Sequence, residues 1–294
     1  PLQLIFYAIK YKPNLINGYQ LLPKGIYAYL AARLTFTRCM ISSIGGIPEI
    51  DTYLKPKWFW KKTNLFVLKH SDIVTTKGKT VTDYIESGGV NKKKIFTFNG
   101  AIDTNKFFCE ENLLKDIDLL FVGQLIELKG PDRFVLMVKD LVQVFPQIKA
   151  CIIGEGPMRN TVEQMINEHK IAENIDIVGY VDNPVAYIKR SKILVMPSRS
   201  EGLATVMLEA MASGCVPVVS NVGCMSEAAI HEATALLINN YQDIKGFVNS
   251  ISSLLTNDNK RKTIVHNGIN LVNSNYSVQA QCNIFKSIIQ ESML

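Results

Sequence analysis

The sequence predicts an α/β protein built on a parallel, doubly wound sheet, and three observations carry that prediction. Short apolar runs recur through the second half, LLFVG (119–123), ACIIG (150–154), IDIVG (175–179), ILVMP (193–197), VPVVS (216–220) and ALLI (235–238), with helical patterns between them. Most of these runs end in Gly, Pro or Ser, the residues of a tight turn at a strand's carboxyl end. The 294-residue chain is 47% hydrophobic and 20% charged, a globular balance with room for one large domain or two ordinary ones. Ligands of such sheets bind outside the carboxyl ends of the strands, so the loops after these runs are where function is sought.

The first half carries fewer units of the same kind: NLING (14–18), a helix through YAYLAARLTF, CMISSIGG (39–46), DIVTT (72–76) and IFTFNG (95–100). About three or four strands are too few for a comfortable sheet of this type, so one or more strand–helix units are expected to precede Pro1, and the chain is expected to be a fragment. Residues 101–118 read as a linker, and 241–294 as polar-faced helices. This divides the chain into a partial domain over 1–105 and a second domain over 106–294.

Charge separates the same halves. Residues 1–105 carry 15 Lys or Arg against 6 Asp or Glu, a net +9, whereas 106–294 carry 17 against 20, a net −3. Within the basic half, residues 55–62 (KPKWFWKK) interleave aromatics with lysines, a composition suited to an anionic membrane surface. The competing reading packs Trp58 and Trp60 on a core with the lysines in water. No recognition motif accompanies the charge, so no nucleic acid is expected as a partner. The six cysteines, at 39, 109, 151, 215, 224 and 282, and the four scattered histidines form neither a CxxC pair nor a ligand cluster. Reduced thiols in a cytoplasmic protein are therefore expected, with no bound metal. No apolar stretch reaches the about 18 residues of a spanning helix.

One residue stands out in residues 198–220, SRSEGLATVMLEAMASGCVPVVS. Glu209 sits among Val206, Met207, Leu208, Ala210, Met211 and Ala212, where a helix apolar all round would bury it, and a buried carboxylate is costly without a partner. Glu201 lies eight residues earlier, in the loop after the 193–197 run. If Thr205 caps the helix, Glu209 lies one turn above it on the same face, and both carboxylates address one cavity with the free N–H groups of residues 202–205 between them. A helix N-terminus suits phosphate and paired carboxylates suit vicinal hydroxyls, which together describe a sugar nucleotide. The preceding strand ends supply matching parts. Gly123 turns after the 119–123 run, Lys129 follows six residues on, where it can reach a diphosphate, and Gly154 and Gly156 let a ligand approach the backbone.

The motifs GQLIELKG (123–130), IIGEGP (152–157), EGLATVMLE (201–209) and ASGCVPVVS (212–220) resemble the retaining GT-B glycosyltransferases of family 4, and the likeness continues upstream in HSDIVTTKGKTVTDYI and FNGAIDTNKF. The resemblance implies two Rossmann-like doubly wound domains, the first incomplete here, with an active site between them. It implies an N-terminal acceptor side and a C-terminal nucleotide-sugar domain, retention of anomeric configuration, and no metal or other cofactor. Lys129 and Glu201 then act in catalysis, Lys129 on the leaving diphosphate and Glu201 on the transferred sugar. Gly202, Leu203, Ala204 and Thr205 hold sugar and adjacent phosphate, Glu209 binds ribose hydroxyls, and Gly123, Gln124, Gly154 and Gly179 complete the donor site. The partners implied are a nucleotide-sugar donor and a glycan or lipid-linked acceptor, at the inner face of the membrane if the basic aromatic stretch binds lipid.

Two positions depart from the family. Gln124 stands where Arg is common, and Ile44 where His is frequent before the glycine turn. The family's N-terminal glycine-rich loop is not in this chain. Three rival readings share the architecture: a sugar-nucleotide epimerase or hydrolase, whose acid/base set is not found upstream; a non-catalytic nucleotide-sugar-binding module, which Gln124 and Ile44 favour; and a dinucleotide-dependent dehydrogenase, against which stands the lack of GxGxxG after any strand.

Overall fold

A computed structural model describes residues 2–44, 47–51 and 56–293. Gly45, Gly46 and Lys55, which belong to two of the stretches read above, lie outside the described residues. The chain divides into two compact units, one of residues 1–100 with 281–294 and one of 101–280.

In the first unit the elements run α1 (Leu2–Tyr11), β1 (Leu15–Tyr19), α2 (Ile26–Leu34), β2 (Arg38–Ser43), α3 (Ile47–Asp51), α4 (Lys57–His70), β3 (Ile73–Thr76), α5 (Lys79–Ser87) and β4 (Ile95–Thr97). The four strands are parallel and lie in chain order, β1-β2-β3-β4. Parallel strands alternating with helices make this unit Rossmann-like, and among the described residues its strands follow one another in one direction. Strands β2 and β3 are buried almost throughout, the pattern of a parallel sheet covered on both faces. Helix α4 takes up the basic aromatic stretch. Trp58 is 70% exposed, with Phe59 and Phe66 exposed as well, so Trp58 is not a core residue.

In the second unit come β5 (Ile117–Val122), α6 (Pro131–Val142), β6 (Ala150–Ile153), α7 (Arg159–Glu168), β7 (Ile175–Gly179), α8 (Val185–Arg190), β8 (Ser191–Met196), α9 (Thr205–Ala212), β9 (Val216–Ser220), β10 (Leu236–Ile238), α10 (Ile244–Thr256), α11 (Asp258–Leu271) and α12 (Val278–Met293). All six apolar runs of the second half are strands. They form one parallel sheet in the order β10-β9-β8-β5-β6-β7. The chain starts in the middle at β5, grows outward through β6 and β7, then returns past β5 to lay β8, β9 and β10 on the other side. That reversal makes β5 and β8 neighbours and places the switch point at their carboxyl ends. Its core joins Leu119, Phe121, Ile152, Val195 and Val218 of the strands to Phe134 and Val138 of α6 and to Phe247, Ile251 and Leu254 of α10, the last three spaced for one helical face. Helix α12 starts in this unit, and from Gln281 its residues cluster with the first, where Ile288 packs with Met40 and Ile73 and Phe285 lies against Phe98.

Glycines stitch the carboxyl edge of this sheet. Gly154 has φ +141°, and a Cβ on it would stand 1.8 Å from the carbonyl oxygen of Gly123. Gly123 N–H donates to Ile153 O at 3.0 Å and Gly154 N–H to Gly179 O at 2.8 Å, so the turns after β5, β6 and β7 are bonded to one another. Backbone cannot move aside as a side chain can. Gly154→Ala is accordingly expected to destabilise the second unit by about 2 kcal/mol or more. Gly202→Ala, whose added Cβ meets nothing within 4 Å, should stay within about 0.5 kcal/mol of the parent. Urea unfolding of the two variants side by side checks this; a Gly154→Ala midpoint equal to that of Gly202→Ala would refute the steric account.

Candidate donor site

The switch point carries a cluster of polar contacts. Lys129, in the loop between β5 and α6, donates from Nζ to both carboxylate oxygens of Glu201, at 2.7 and 2.8 Å, across the boundary between β5 and β8. Ser198, directly after β8 and buried, donates from Oγ to Glu201 Oε1 at 2.7 Å. The Glu201 side chain is only 9% exposed and that of Lys129 28%. An ion pair this dry is screened little by solvent.

Local geometry explains how the loops meet. Gly130 is left-handed at φ +75° and Pro131 opens α6, so the chain turns sharply straight after Lys129. On the other side, Gly223 at φ +58° lies so close to Glu201 that a Cβ there would stand 1.8 Å from the Glu201 carbonyl oxygen. Arg199 N–H donates to Leu128 O at 2.8 Å, tying the two loops by backbone.

The helix after Glu201 departs from expectation at its cap. Ala204, extended at φ −72° and ψ 119°, is the N-cap of α9, and Thr205 is the first helical residue, with no side chain capping the end. An alanine offers no oxygen, so the leading N–H groups stay open. Among the described residues, those of Gly202, Leu203, Ala204 and Thr205 donate to nothing in the protein. They form a cradle with the positive end of the α9 dipole behind it. Gly202 is exposed with open space around it, Leu203 is buried beneath, and Thr205 is exposed.

Glu209 is half-buried, not enclosed as an all-apolar helix would make it. Thr205 and Glu209, four residues apart, form the wetter stripe of α9, while Met207, Leu208, Ala210 and Met211 are buried. Its carboxylate has no hydrogen-bond or ion-pair partner among the described residues. Burial raises its pKa above the ordinary 4.5, and the charge of Lys106 offsets this only in part. A half-buried carboxylate without partners, on a helix with an open N-terminus, has the capacity to accept hydrogen bonds from donors outside the protein.

The structure thus brings Gly123, Gln124, Gly154 and Gly179 together at the ends of β5, β6 and β7, and joins Lys129 to Glu201. Gln124 is exposed. Two residues were not singled out from the sequence, Ser198 and Arg133. Ser198 is visible only as a Ser at a strand's carboxyl end. Arg133 carried the same signal as Glu209, a charge within an apolar helical face. No group of three or more His, Cys, Asp or Glu placed to hold a metal occurs among the described residues.

Two α/β units with parallel sheets, the second doubly wound with a lysine–carboxylate pair at its switch point, make up the GT-B architecture. The profile of the group 1 glycosyl transferases matches residues 103–271, more than half of the chain, and the chain belongs to that family. The capsular polysaccharide biosynthesis glycosyltransferase CapM of Staphylococcus aureus is 24% identical over 305 aligned positions, covering 95% of this chain and 77% of CapM. A Campylobacter jejuni enzyme, N-acetylgalactosamine-N,N'-diacetylbacillosaminyl-diphospho-undecaprenol 4-alpha-N-acetylgalactosaminyltransferase, is 26% identical, covering 75% of this chain and 63% of its own. In fold the chain is similar to Anabaena HepE, solved in complex with UDP, with a TM-score of 0.80 at 15% identity over 98% of this chain and 81% of HepE. The chain is a glycosyltransferase by family and GT-B by fold.

The raised pKa of Glu209 sets a pH dependence for the ligand-free protein. The folded state holds the Glu209 proton more tightly than the unfolded state does. Stability from this group is therefore intact below about pH 4.5 and is lost as pH rises through the raised value. Glu209→Gln removes that loss, so at pH 7 the variant should melt at or above the parent temperature, with the gain disappearing toward pH 4. A variant that melts well below the parent at pH 7 would show Glu209 to be a structural anchor.

Proposed function

We propose that this chain transfers a glycosyl unit, with retention of anomeric configuration, from a nucleoside diphosphate sugar to a lipid-linked or polysaccharide acceptor. Residues 106–294 form the donor side and residues 1–105 the acceptor side. The observation that carries the reading is the Lys129–Glu201 pair at the switch point. An ammonium has three N–H donors, and two of those on Lys129 are engaged by Glu201, which leaves the third for a phosphate oxygen. Glu201 Oε1 already accepts from Lys129 and Ser198, whereas Oε2 accepts from Lys129 alone and retains a lone pair for a sugar hydroxyl.

Charge then builds on the diphosphate as the bond from the anomeric carbon to its oxygen breaks. Lys129 and the open N–H groups of residues 202–205 oppose that charge from fixed positions. Glu209 accepts from ribose hydroxyls, and Gly123, Gln124, Gly154 and Gly179 line the rest of the donor. The UDP bound by HepE supports a uridine nucleotide as the first donor to try.

The acceptor side rests on α4. Trp58, Lys62, Phe66 and Lys69 follow one another at three- or four-residue spacing and are exposed, with Lys57 and Phe59 beside them, and the helix has no acidic residue. Aromatic rings on a lysine-rich face suit an anionic bilayer surface, each lysine adding about 1 kcal/mol of attraction. The C. jejuni relative's name specifies a diphospho-undecaprenol substrate, which agrees with a lipid-linked acceptor at the inner face of the membrane. Among the described residues no helix is long and apolar enough to cross a membrane.

Calorimetry, turnover and vesicle binding each test the reading. In calorimetry with a panel of UDP-, GDP- and ADP-sugars, Glu209→Gln binds the preferred donor about 1 to 3 kcal/mol more weakly. Parental affinity falls as pH drops through the raised Glu209 pKa, while that of the variant does not. Lys129→Ala lowers turnover by about 100-fold or more, with a smaller loss of donor affinity, and Gln124→Arg in that background restores part of the rate. Parental turnover in Lys129→Ala would instead favour the binding-module reading, in which exposed Gln124 replaces a diphosphate cation. Finally, the protein should sediment with vesicles containing phosphatidylglycerol and not with pure phosphatidylcholine, and Trp58→Ala with Lys62→Glu should abolish this; equal binding to both vesicles would dismiss the charged-surface assignment.

A further inference from the structure

Arg133 is the third residue of α6 and is buried among Phe134, Val135, Met137 and Val138, where an apolar side chain would serve packing as well. A guanidinium out of water is costly unless its N–H groups are met. Here they are met mostly by neutral carbonyls. Nε donates to Pro197 O at 2.9 Å and Nη2 to Glu127 O at 2.9 Å, with the plane over the ring of Tyr241, 5.1 Å from its centroid, and the Asp132 carboxylate 3.9 Å away. Both carbonyls belong to the loops of the donor site, Glu127 two residues before Lys129 and Pro197 four before Glu201. Gly130 makes room, since a Cβ there would stand 2.4 Å from Nη2.

We infer that Arg133 is a positioning residue, a clamp across the β5 and β8 loops that holds Lys129 and Glu201 in register. Its effect on turnover rests on the donor-site reading above, whereas its effect on the loops rests on geometry alone. The lysine reaches Glu201 on a flexible four-carbon stem, so the pair keeps one geometry only if the two backbones keep theirs. The planar fork of Arg133 fixes that separation by bonding one carbonyl on each side. The backbone bond from Arg199 N–H to Leu128 O adds a second tie at the same crossing. A lysine at 133 would keep the charge and lose the fork.

The test compares Arg133→Met and Arg133→Gln in the full chain. Hydrogen exchange should accelerate in residues 126–130 and 197–202 and stay at the parental rate in residues 150–156. Turnover in Arg133→Met should fall by about 10-fold to 100-fold, the scale of a small misplacement of catalytic groups, with partial recovery in Arg133→Gln, which keeps one donating nitrogen. In the Lys129→Ala background, Arg133→Met should change turnover by less than about twofold, because the pair whose register it sets is already broken. Losses that multiply in the double variant would overturn the clamp in favour of an independent structural role, as would unchanged exchange in the two loops. If Arg133→Met does not fold, Arg133→Gln carries the same comparisons. If the parent binds and turns over no nucleotide sugar, the donor-site reading fails while the exchange result still decides the clamp.

Discussion

The bidentate pair between Lys129 and Glu201 depends on a reversal of direction. Its partners are 72 residues apart in the chain and meet only because the sheet, after growing from β5 to β7, comes back to lay β8 against β5. Had β8 continued outward from β7, both charges would still sit at strand ends, with two strands between them and out of reach. The reversal creates a crevice because successive loops diverge there. Lysine, carboxylate and the uncapped end of α9 all face that divergence, so topology sets the chemistry before any rotamer does.

The surroundings of this pair divide into parts that are fixed and parts left unfinished. On the β5–β6–β7 side, glycines bring backbone against backbone, with Gly154 against Gly123 and bonded to Gly179. On the α9 side nothing caps the helix, and Glu209 is half-dry without a partner. One half is closed by backbone bonds between glycine turns, and the other carries unsatisfied polarity. Such a division agrees with a site whose missing hydrogen bonds are supplied by a ligand.

Much of the second unit was legible because a parallel strand buried on both faces is written as a continuous apolar run, and six such runs became six strands. The carboxylates were legible through contrast, since Glu209 interrupts an apolar helix. The partners of individual side chains are less legible. The tie from Ser198 to Glu201 spans only three residues but depends on how the loop folds, and the charge of Arg133 within an apolar helix does not say that it reaches Pro197, 64 residues away. Thr205 was mistaken for the cap because its side chain suits the role; the cap went to Ala204, where the extended backbone ends. In the first unit the strands were found but not their one-way order, because pairing order follows from packing and not from any single run.

The path of α12 has a consequence for the order of assembly. Ile288, a core residue of the first unit, is made after every residue of the second. During synthesis the six-stranded sheet can therefore close while the basic unit still lacks part of its hydrophobic centre. The half of the chain that emerges first is the half that finishes last, and until α12 arrives the apolar flank around Met40 and Ile73 is the surface a nascent-chain chaperone would find.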